Sequence, residues 1–168
     1  MNKKIFKLII TVVIAVLIIG AAYIFLSDTN LFVKEKKVNL YFGTDDAMNL
    51  KLEKRDIRGR NLYLEAVMEL IKGPTDPNLT KTIPDGTEVL NISKDGDIIV
   101  VDFNDKIVKN HWGGSTGERI TVYSIVNTLG QFEKINKVKF LIEGEEVNTL
   151  VGHMDLSTPL EPNPDLSQ

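Results

Sequence analysis

The sequence predicts an α+β domain, a two-layer sandwich in which two helices cover one face of a mixed β-sheet, preceded by one N-terminal transmembrane helix. Three observations support this prediction. A long uncharged stretch lies near the N-terminus, several short stretches alternate apolar and polar residues, and two stretches repeat apolar residues every three or four positions. These patterns are typical of a membrane span, of half-buried strands and of amphipathic helices, respectively.

Composition excludes several classes of function. The chain has 168 residues, no Cys and a formal net charge of −3. Without Cys there are no disulfides, no thiol catalysis and no thiolate metal ligands. Three lysines precede the first acidic residue, Asp28, and the remainder of the chain has 17 basic and 23 acidic residues. This acidic remainder argues against a nucleic-acid partner, which would need a concentrated basic face.

Residues 8–26, "LIITVVIAVLIIGAAYIFL", form 19 uncharged positions. As a helix they would be ~28 Å long, close to the hydrocarbon thickness of about 30 Å. Lys3, Lys4 and Lys7 precede this stretch, so the positive-inside tendency places the N-terminus in the cytoplasm. We therefore expect a cytoplasmic tail over residues 1–7, a single-pass signal anchor over residues 8–26 and an extracytoplasmic C-terminal domain.

Two alternatives to an anchor remain open from the residues. Gly20, Ala21 and Ala22 are small enough for signal-peptide cleavage, but the apolar stretch continues to Leu26 and is longer than a secretory signal needs. A buried core helix would be apolar on one side, whereas this stretch is apolar on every side. Both comparisons favour the uncleaved anchor.

A polar linker is predicted at residues 27–37. The first half of the domain then has the predicted order β-β-α. Val38, Leu40 and Phe42 alternate as in a strand, and residues 50–57 form a weaker second strand. Residues 61–72 are helical in pattern, and Gly73 and Pro74 then terminate the helix. Its predicted apolar stripe consists of Leu64, Val67, Met68 and Ile71.

The second half reads β-β-α-β. Asp95-Gly96 marks a hairpin between strands at 88–93 and 97–103, and the second of these is apolar on both faces, as a central strand is. A helix at 116–132 and a strand at 137–142 follow. The order β-β-α-β-β-α-β places the domain at residues 38–157. The proline-rich residues 158–168 are expected to be a flexible tail. The second helix has its predicted stripe at Val122, Ile125, Val126, Leu129 and Phe132.

The loop "KNHWGGSTGERIT", residues 109–121, is the richest in functional side chains. Ser115 and Glu118 match a capping box, in which each side chain binds a free N–H of the first turn. A phosphate site is the alternative, but the Gly-Lys-Ser/Thr ending of a phosphate loop is missing. His111 and Trp112 are candidate interaction residues, since a Trp beside two Gly on a surface loop suits an interface. A partly buried anchor for the loop is the other interpretation of Trp112, and the residue pattern favours it.

No catalytic, cofactor or metal constellation is predicted. His111 and His153 are the only histidines, and no spacing of carboxylates completes a zinc site. Ser115 lacks the Gly-x-Ser-x-Gly elbow of a nucleophile. An envelope hydrolase using His111, Asp105, Ser115 or Glu143 remains as the enzymatic alternative.

Two longer segments resemble the GerMN domain, which is named for a sporulation and germination protein of spore-forming Gram-positive bacteria. They are "LIKGPTDPNLTKTIPDGTEVLNI" (70–92) and "STGERITVYSIVNTLGQFEKINKVKFLIEGEEVNTLVGHMDLSTPL" (115–160). The resemblance covers residues 38–160 in a single copy. It implies a non-enzymatic module of the cell envelope whose shared positions define the fold: Gly73, Pro74, Gly86, Gly144, Gly152 and His153. Ser115 and Glu118 are expected to define the fold through their capping-box spacing.

The resemblance also implies a cellular role. The namesake helps to assemble a ring-shaped, secretion-like complex between two cells, but it has two copies of the domain and a lipid-modified Cys instead of a helix. We therefore predict a membrane-anchored interaction module that supports envelope or sporulation and germination complexes. Envelope proteins, peptidoglycan or further copies of the chain are the expected partners. The alternative is a protein that binds or hydrolyses cell-wall carbohydrate.

Overall fold

The structure, a computed structural model, describes residues 3–31, 33–46 and 48–167. The chain divides into two compact units, Met1–Lys34 and Glu35–Gln168. The first consists of one long helix, and the second contains the sheets and the remaining helices. Each unit is described separately below.

Helix α1 extends over Lys3–Leu31. Its Lys3–Tyr23 portion is long and apolar enough to cross a membrane, and none of that stretch is buried. The predicted apolar helix is thus present, but it is longer than residues 8–26. Residues 3–7, expected in a tail, are its first turns, whereas residues 1–2 of that predicted tail lie outside the described residues.

The predicted linker at residues 27–37 is wrong, because α1 continues to Leu31 and the first strand begins at Lys34. The charged residues "KEKK" extend the strand instead of interrupting it. Glu35 pairs with Arg58 at 3.2 Å and Lys37 pairs with Asp56 at 3.6 Å, both between the first two strands. Cross-strand ion pairs of this kind stabilise a sheet modestly.

The structure confirms the α+β class and divides the strands between two sheets. Strands β1 to β3 form one sheet in the order β2-β1-β3, and β4 to β7 form the other in the order β4-β5-β6-β7. Their bounds are Lys34–Thr44, Leu50–Gly59, Leu79–Thr80, Val89–Asp95, Ile98–Phe103, Lys137–Ile142 and Glu145–Glu146. The second sheet is mixed, since β5 pairs antiparallel with β4 and parallel with β6. The central position predicted for β5 is therefore confirmed.

Helix α2, Leu62–Lys72, starts and stops where the sequence predicts. The Asn61 side chain accepts hydrogen bonds from two N–H groups of the first turn, and the N–H of Gly73 binds the carbonyl of Leu70 at 3.1 Å. The predicted stripe is confirmed for Val67, which is buried, and for Leu64 and Ile71, which pack against the main core, but not for Met68. Ala66, Val67 and Leu70 are the buried residues, whereas Met68 is 45% exposed.

Helix α4, Ser115–Gly130, follows the short helix α3, Lys106–Lys109. Its predicted apolar stripe is confirmed, because all five residues are buried in the main core. A second, smaller cluster of Leu50, Ile120 and Leu166 buries another side of α4. The helix is thus enclosed on two sides, which a single apolar stripe does not predict.

The C-terminal segment is packed, so the predicted flexible tail at residues 158–168 is wrong. Leu160 exchanges backbone hydrogen bonds with Val138 at 2.8 and 2.9 Å. A 3₁₀ helix, Pro164–Leu166, then buries Leu166, and Ser167 lies beside Leu50. Gln168 lies outside the described residues. Besides the bonds to Val138, the side chain of Asn127 in α4 exchanges hydrogen bonds with the backbone of Asn163 and holds this segment.

Candidate functional site

The loop between α3 and α4 is held by His111. Its Nδ1 accepts a hydrogen bond from the N–H of Gly113 at 2.9 Å, which places the ring proton on Nε2. That nitrogen lies 3.1 Å from Oγ1 of Thr121, whose hydroxyl donates in turn to the carbonyl of Thr82 at 2.7 Å. Burial lowers the pKa of His111, although the carboxylate of Glu118 opposes the shift. The imidazole is therefore a neutral structural link at pH 7.

Trp112 stacks on this fixed imidazole. The two ring centroids are 5.0 Å apart at an interplanar angle of 29°. The indole also lies against Gly117 of α4, where a Cβ would come within 2.7 Å of Nε1. Despite these contacts, Trp112 is 53% exposed. The structure thus places the two candidate interaction residues together and presents the indole to solvent in a fixed orientation.

The predicted capping box of Ser115 and Glu118 is wrong. The N-cap residue is Gly114, with φ of 79°, and no side chain caps the helix. Ser115 is exposed and is the first helical residue, so its hydroxyl cannot reach the first-turn N–H groups as an N-cap would. The positive φ of Gly114 moves the start of the helix one residue earlier than the pattern predicts.

Glu118 instead binds the loop at residues 149–153. Its buried carboxylate accepts hydrogen bonds from Oγ1 of Thr149 at 2.6 Å and from the N–H groups of Leu150, Val151 and His153 at 2.8, 3.1 and 2.8 Å. Burial would raise the pKa of Glu118, but these four donors lower it below its usual value. Glu118 therefore remains ionised and fastens this loop to α4.

His153 contributes to this contact through its backbone, since its side chain is exposed. The part of His153 that holds the fold here is thus its backbone N–H and not its ring. Gly152 precedes it with φ of 96°, and its N–H binds Oγ1 of Thr149 at 2.7 Å. The loop is consequently closed by Thr149 and anchored by Glu118.

The other positions expected to define the fold lie in turns near the ends of helices and strands. The carbonyl of Gly73 accepts a hydrogen bond from Arg55 at 2.7 Å, and Pro74 follows it. The carbonyl of Gly86 accepts one from Asn104 at 3.0 Å, and the N–H of Gly144 donates to Asp102 at 3.0 Å. These contacts join turns to neighbouring strands, which is an architectural role.

The enzymatic alternative is not supported by the contacts. Both ring nitrogens of His111 are engaged by Gly113 and Thr121. The carboxylate of Asp105 pairs with Lys106 and Lys109, and that of Glu143 accepts the N–H of Asp105 at 3.0 Å. In the part of the chain that the structure describes, no group of three His, Asp or Glu residues could hold a metal ion.

Sequence reasoning missed the partners of this loop. Thr121, Gly117 and Thr82 support His111 and Trp112, and residues 149–153 bind Glu118 across more than 30 positions of sequence. A single sequence carries no signal for such long-range pairs. The one local sign is Gly117 within the first two turns of a helix, where Gly is unfavourable unless a close contact requires it.

Comparisons with known proteins bear on the fold and the family. The model of the Germane family, described as sporulation and spore germination, matches residues 39–148. None of the curated proteins compared matches the chain. A crystal structure described as a lipoprotein from Clostridium perfringens is 26% identical, with a TM-score of 0.57, over 78% of this chain and 89% of that one.

Two further solved structures come from the sporulation protein GerM of Bacillus subtilis. Its first GerMN domain is 21% identical, with a TM-score of 0.60, over 75% of this chain and 97% of that one. The structure of its tandem GerMN domains is also 21% identical, with a TM-score of 0.65, over 76% of this chain. This chain spans 46% of that tandem structure, which agrees with a single copy of the domain.

Proposed function

The chain belongs to the Germane family of sporulation and spore germination domains, and we propose from this premise that it is a membrane-anchored interaction module of the bacterial cell envelope. In this proposal α1 crosses the membrane once, with its N-terminus in the cytoplasm. The GerMN-type unit lies outside and docks envelope proteins or peptidoglycan. It performs no catalysis and supports assembly of envelope or sporulation and germination complexes.

The observation that carries the proposal is the exposure of α1. Its Lys3–Tyr23 portion is apolar and none of it is buried within the chain. Leaving so many apolar side chains in water would cost about 1.5–3 kcal/mol for each large residue. A bilayer removes that cost, and Lys3, Lys4 and Lys7 favour a cytoplasmic N-terminus. The description of the similar Clostridium perfringens protein as a lipoprotein also fits an envelope location.

The docking surface in this proposal is centred on Trp112. Exposed aromatic side chains that are already fixed lose little conformational entropy on binding, which is why they dominate many interfaces. His111 and Gly117 fix the indole, and it remains 53% exposed. No other Trp occurs in the chain.

A partner-capture experiment tests the proposal. Photocrosslinking from a position beside Trp112, in the full chain in its native membrane, is expected to give discrete adducts with envelope proteins or peptidoglycan. Trp112→Ala should remove these adducts. Met68→Ala is the matched control, because Met68 is another exposed apolar residue, on α2. Adducts that persist in Trp112→Ala, or disappear equally in both variants, would contradict the assignment of this surface.

Self-association is part of the same proposal, but the bulged end of the edge strand β4 is not expected to be its contact. Strand β4 is an edge strand, and the register shift between Val89 and Asn91 leaves Leu90 outside the ladder and 49% exposed. Light scattering of the full chain in detergent micelles measures whether copies associate. A bulge discourages regular strand addition at that end, so any association should be unaffected by Leu90→Ala.

A further inference from the structure

A polar groove lies beside the first turns of α4, away from Trp112. It has a volume of about 420 Å³ and is lined by Ser115, Thr116, Arg119 and Tyr123 of α4, together with His153, Met154 and Asn163. Residues of a helix advance by about 100° each. Gly117, which contacts Trp112, therefore points to the opposite side of α4 from Arg119. The groove is a separate surface from the proposed docking site.

Arg119 has no acidic partner in the described part of the chain. Its Nη2 reaches the carbonyl of Met48 only at 3.5 Å, and its Nε is buried without a hydrogen-bond partner. The carboxylate of Glu118, next to it in the sequence, does not pair with it, because both oxygens of Glu118 accept hydrogen bonds from residues 149–153. By contrast, Arg55 and Arg58 both have carboxylate partners within 3.2 Å. The Arg119 side chain is only partly buried, but a buried N–H such as its Nε is nearly always paired in proteins.

The start of α4 supplies further unused donors to the same groove. Gly114 leaves the helix without a side-chain cap, and within the described residues the N–H groups of Ser115, Thr116 and Gly117 have no acceptor. The partial positive charge of a helix N-terminus favours an anion at this position. The hydroxyls of Ser115 and Thr116 add two donors beside Arg119.

We propose that this groove binds the phosphate group of a phosphate ester. A carboxylate would be satisfied by the fork of one guanidinium, whereas the donors here come from Arg119, from the first turn of α4 and from His153 and Asn163, which lie on other segments of the chain. The oxygens of a phosphate group can accept hydrogen bonds from several of these donors at the same time. The groove volume of about 420 Å³ also leaves room for the esterified group. Two sources are compatible with this chemistry, a soluble phosphate ester and a phospholipid headgroup.

Calorimetric titration of the full chain in maltoside micelles, which contain no phosphate, tests this proposal. The probes are inorganic phosphate, glycerol 3-phosphate, short-chain dihexanoyl phosphatidylglycerol and acetate. We expect saturable binding of glycerol 3-phosphate, and Arg119→Gln should weaken it at least about tenfold, the loss expected for a charge-assisted hydrogen bond. Tighter binding of phosphatidylglycerol than of glycerol 3-phosphate would identify a lipid source, and the reverse order a soluble one.

Controls separate this site from general charge and from the proposed docking function. Arg58→Gln removes an arginine elsewhere on the surface and should bind as the wild type does, as should Trp112→Ala. Thr116→Val removes one hydroxyl at constant shape and tests the groove if Arg119→Gln does not fold. No saturable binding of either small phosphate, equal binding of acetate, or unchanged binding in both groove variants would overturn the proposal.

Discussion

Helices α1 and α4 reverse the usual relation between composition and burial. The Lys3–Tyr23 portion of α1 is apolar, yet none of it is buried. Ten of the 16 residues of α4 are buried, and five of them are polar or charged, namely Glu118, Thr121, Ser124, Asn127 and Thr128. The polar residues of α4 have hydrogen-bond partners, which makes their burial tolerable. The apolar side chains described in Lys3–Tyr23 are exposed, and the membrane location proposed for α1 would cover them.

Removing the carboxylate of Glu118 is the strongest way to break this comparison. Glu118→Ala leaves four donors of residues 149–153 without their acceptor, and we expect a loss of about 4 kcal/mol in the free energy of unfolding of the Glu35–Gln168 unit. Urea unfolding of the full chain in micelles, followed by circular dichroism, measures it. Glu133→Ala is the control, because Glu133 is exposed, and it should change stability by less than about 0.5 kcal/mol. Equal effects of the two substitutions would refute the role of Glu118.

The same carboxylate sets a pH dependence. Because the folded-state pKa of Glu118 is lowered, its contribution is fully present above the unfolded pKa of about 4.3 and is lost as the pH falls through the lower folded value. Glu53, whose pKa is lowered to about 2, acts in the same direction. Unfolding measured between neutral pH and pH 3 should become less pH-dependent in Glu118→Gln. An unchanged slope would mean that the carboxylate is not ionised in the fold.

A charge in the middle of α1 tests whether this exposed apolar helix lies in a membrane, as proposed. Val13→Arg places a guanidinium near the centre of the apolar stretch and should cost about 3 kcal/mol for membrane insertion. The measurement is the fraction of the chain that stays in the membrane pellet after carbonate extraction. Val13→Leu keeps the stretch apolar and should remain in the pellet. Release of the wild type and of Val13→Leu by carbonate to the same extent as the arginine variant would show that α1 does not lie in the hydrocarbon.

Asn127 shows how a buried polar side chain can order a segment that composition predicts to be flexible. Its amide donates to the carbonyl of Asn163 at 2.9 Å and accepts the N–H of the same residue at 2.8 Å. Asn127→Ala should lower the unfolding free energy by about 2 kcal/mol and expose residues 159–167 to hydrogen exchange and proteolysis. Asn136→Ala, which removes an exposed amide bonded to Asp97, is the control. Unchanged protection of residues 159–167 would contradict this role.

The smallest change in stability is expected at Gly117. Gly117→Ala improves helix propensity by up to about 1 kcal/mol, but the new methyl group displaces the indole of Trp112. We expect nearly unchanged unfolding and a shifted emission of Trp112, the only Trp in the chain. Crosslinking through this surface should fall as it does in Trp112→Ala. An unshifted emission spectrum would show that the indole does not lie on Gly117.

Local patterns predicted most of the helices and strands, because an element with one buried face has apolar residues at a regular spacing in the sequence. Residues 137–142 and the stripe of α4 are examples. The division into two sheets, the short β3 and the packing of residues 158–167 depend on long-range pairing, which has no local period. Trp112 and His111 stood out by residue type and by the flanking glycines. The role of Glu118 did not, since the same Ser-x-x-Glu spacing also fits a capping box.

The most direct test of the account is the side of the membrane on which the folded unit lies. The chain has no Cys, so in a single-cysteine variant a maleimide can label only the introduced thiol. Intact cells are treated with a membrane-impermeant maleimide, using Glu133→Cys in the exposed turn after α4 and Asn2→Cys at the N-terminus. The account predicts labelling of Glu133→Cys in intact cells and of Asn2→Cys only after lysis. Protection of Glu133→Cys in intact cells, or recovery of the labelled chain from the medium, would contradict it.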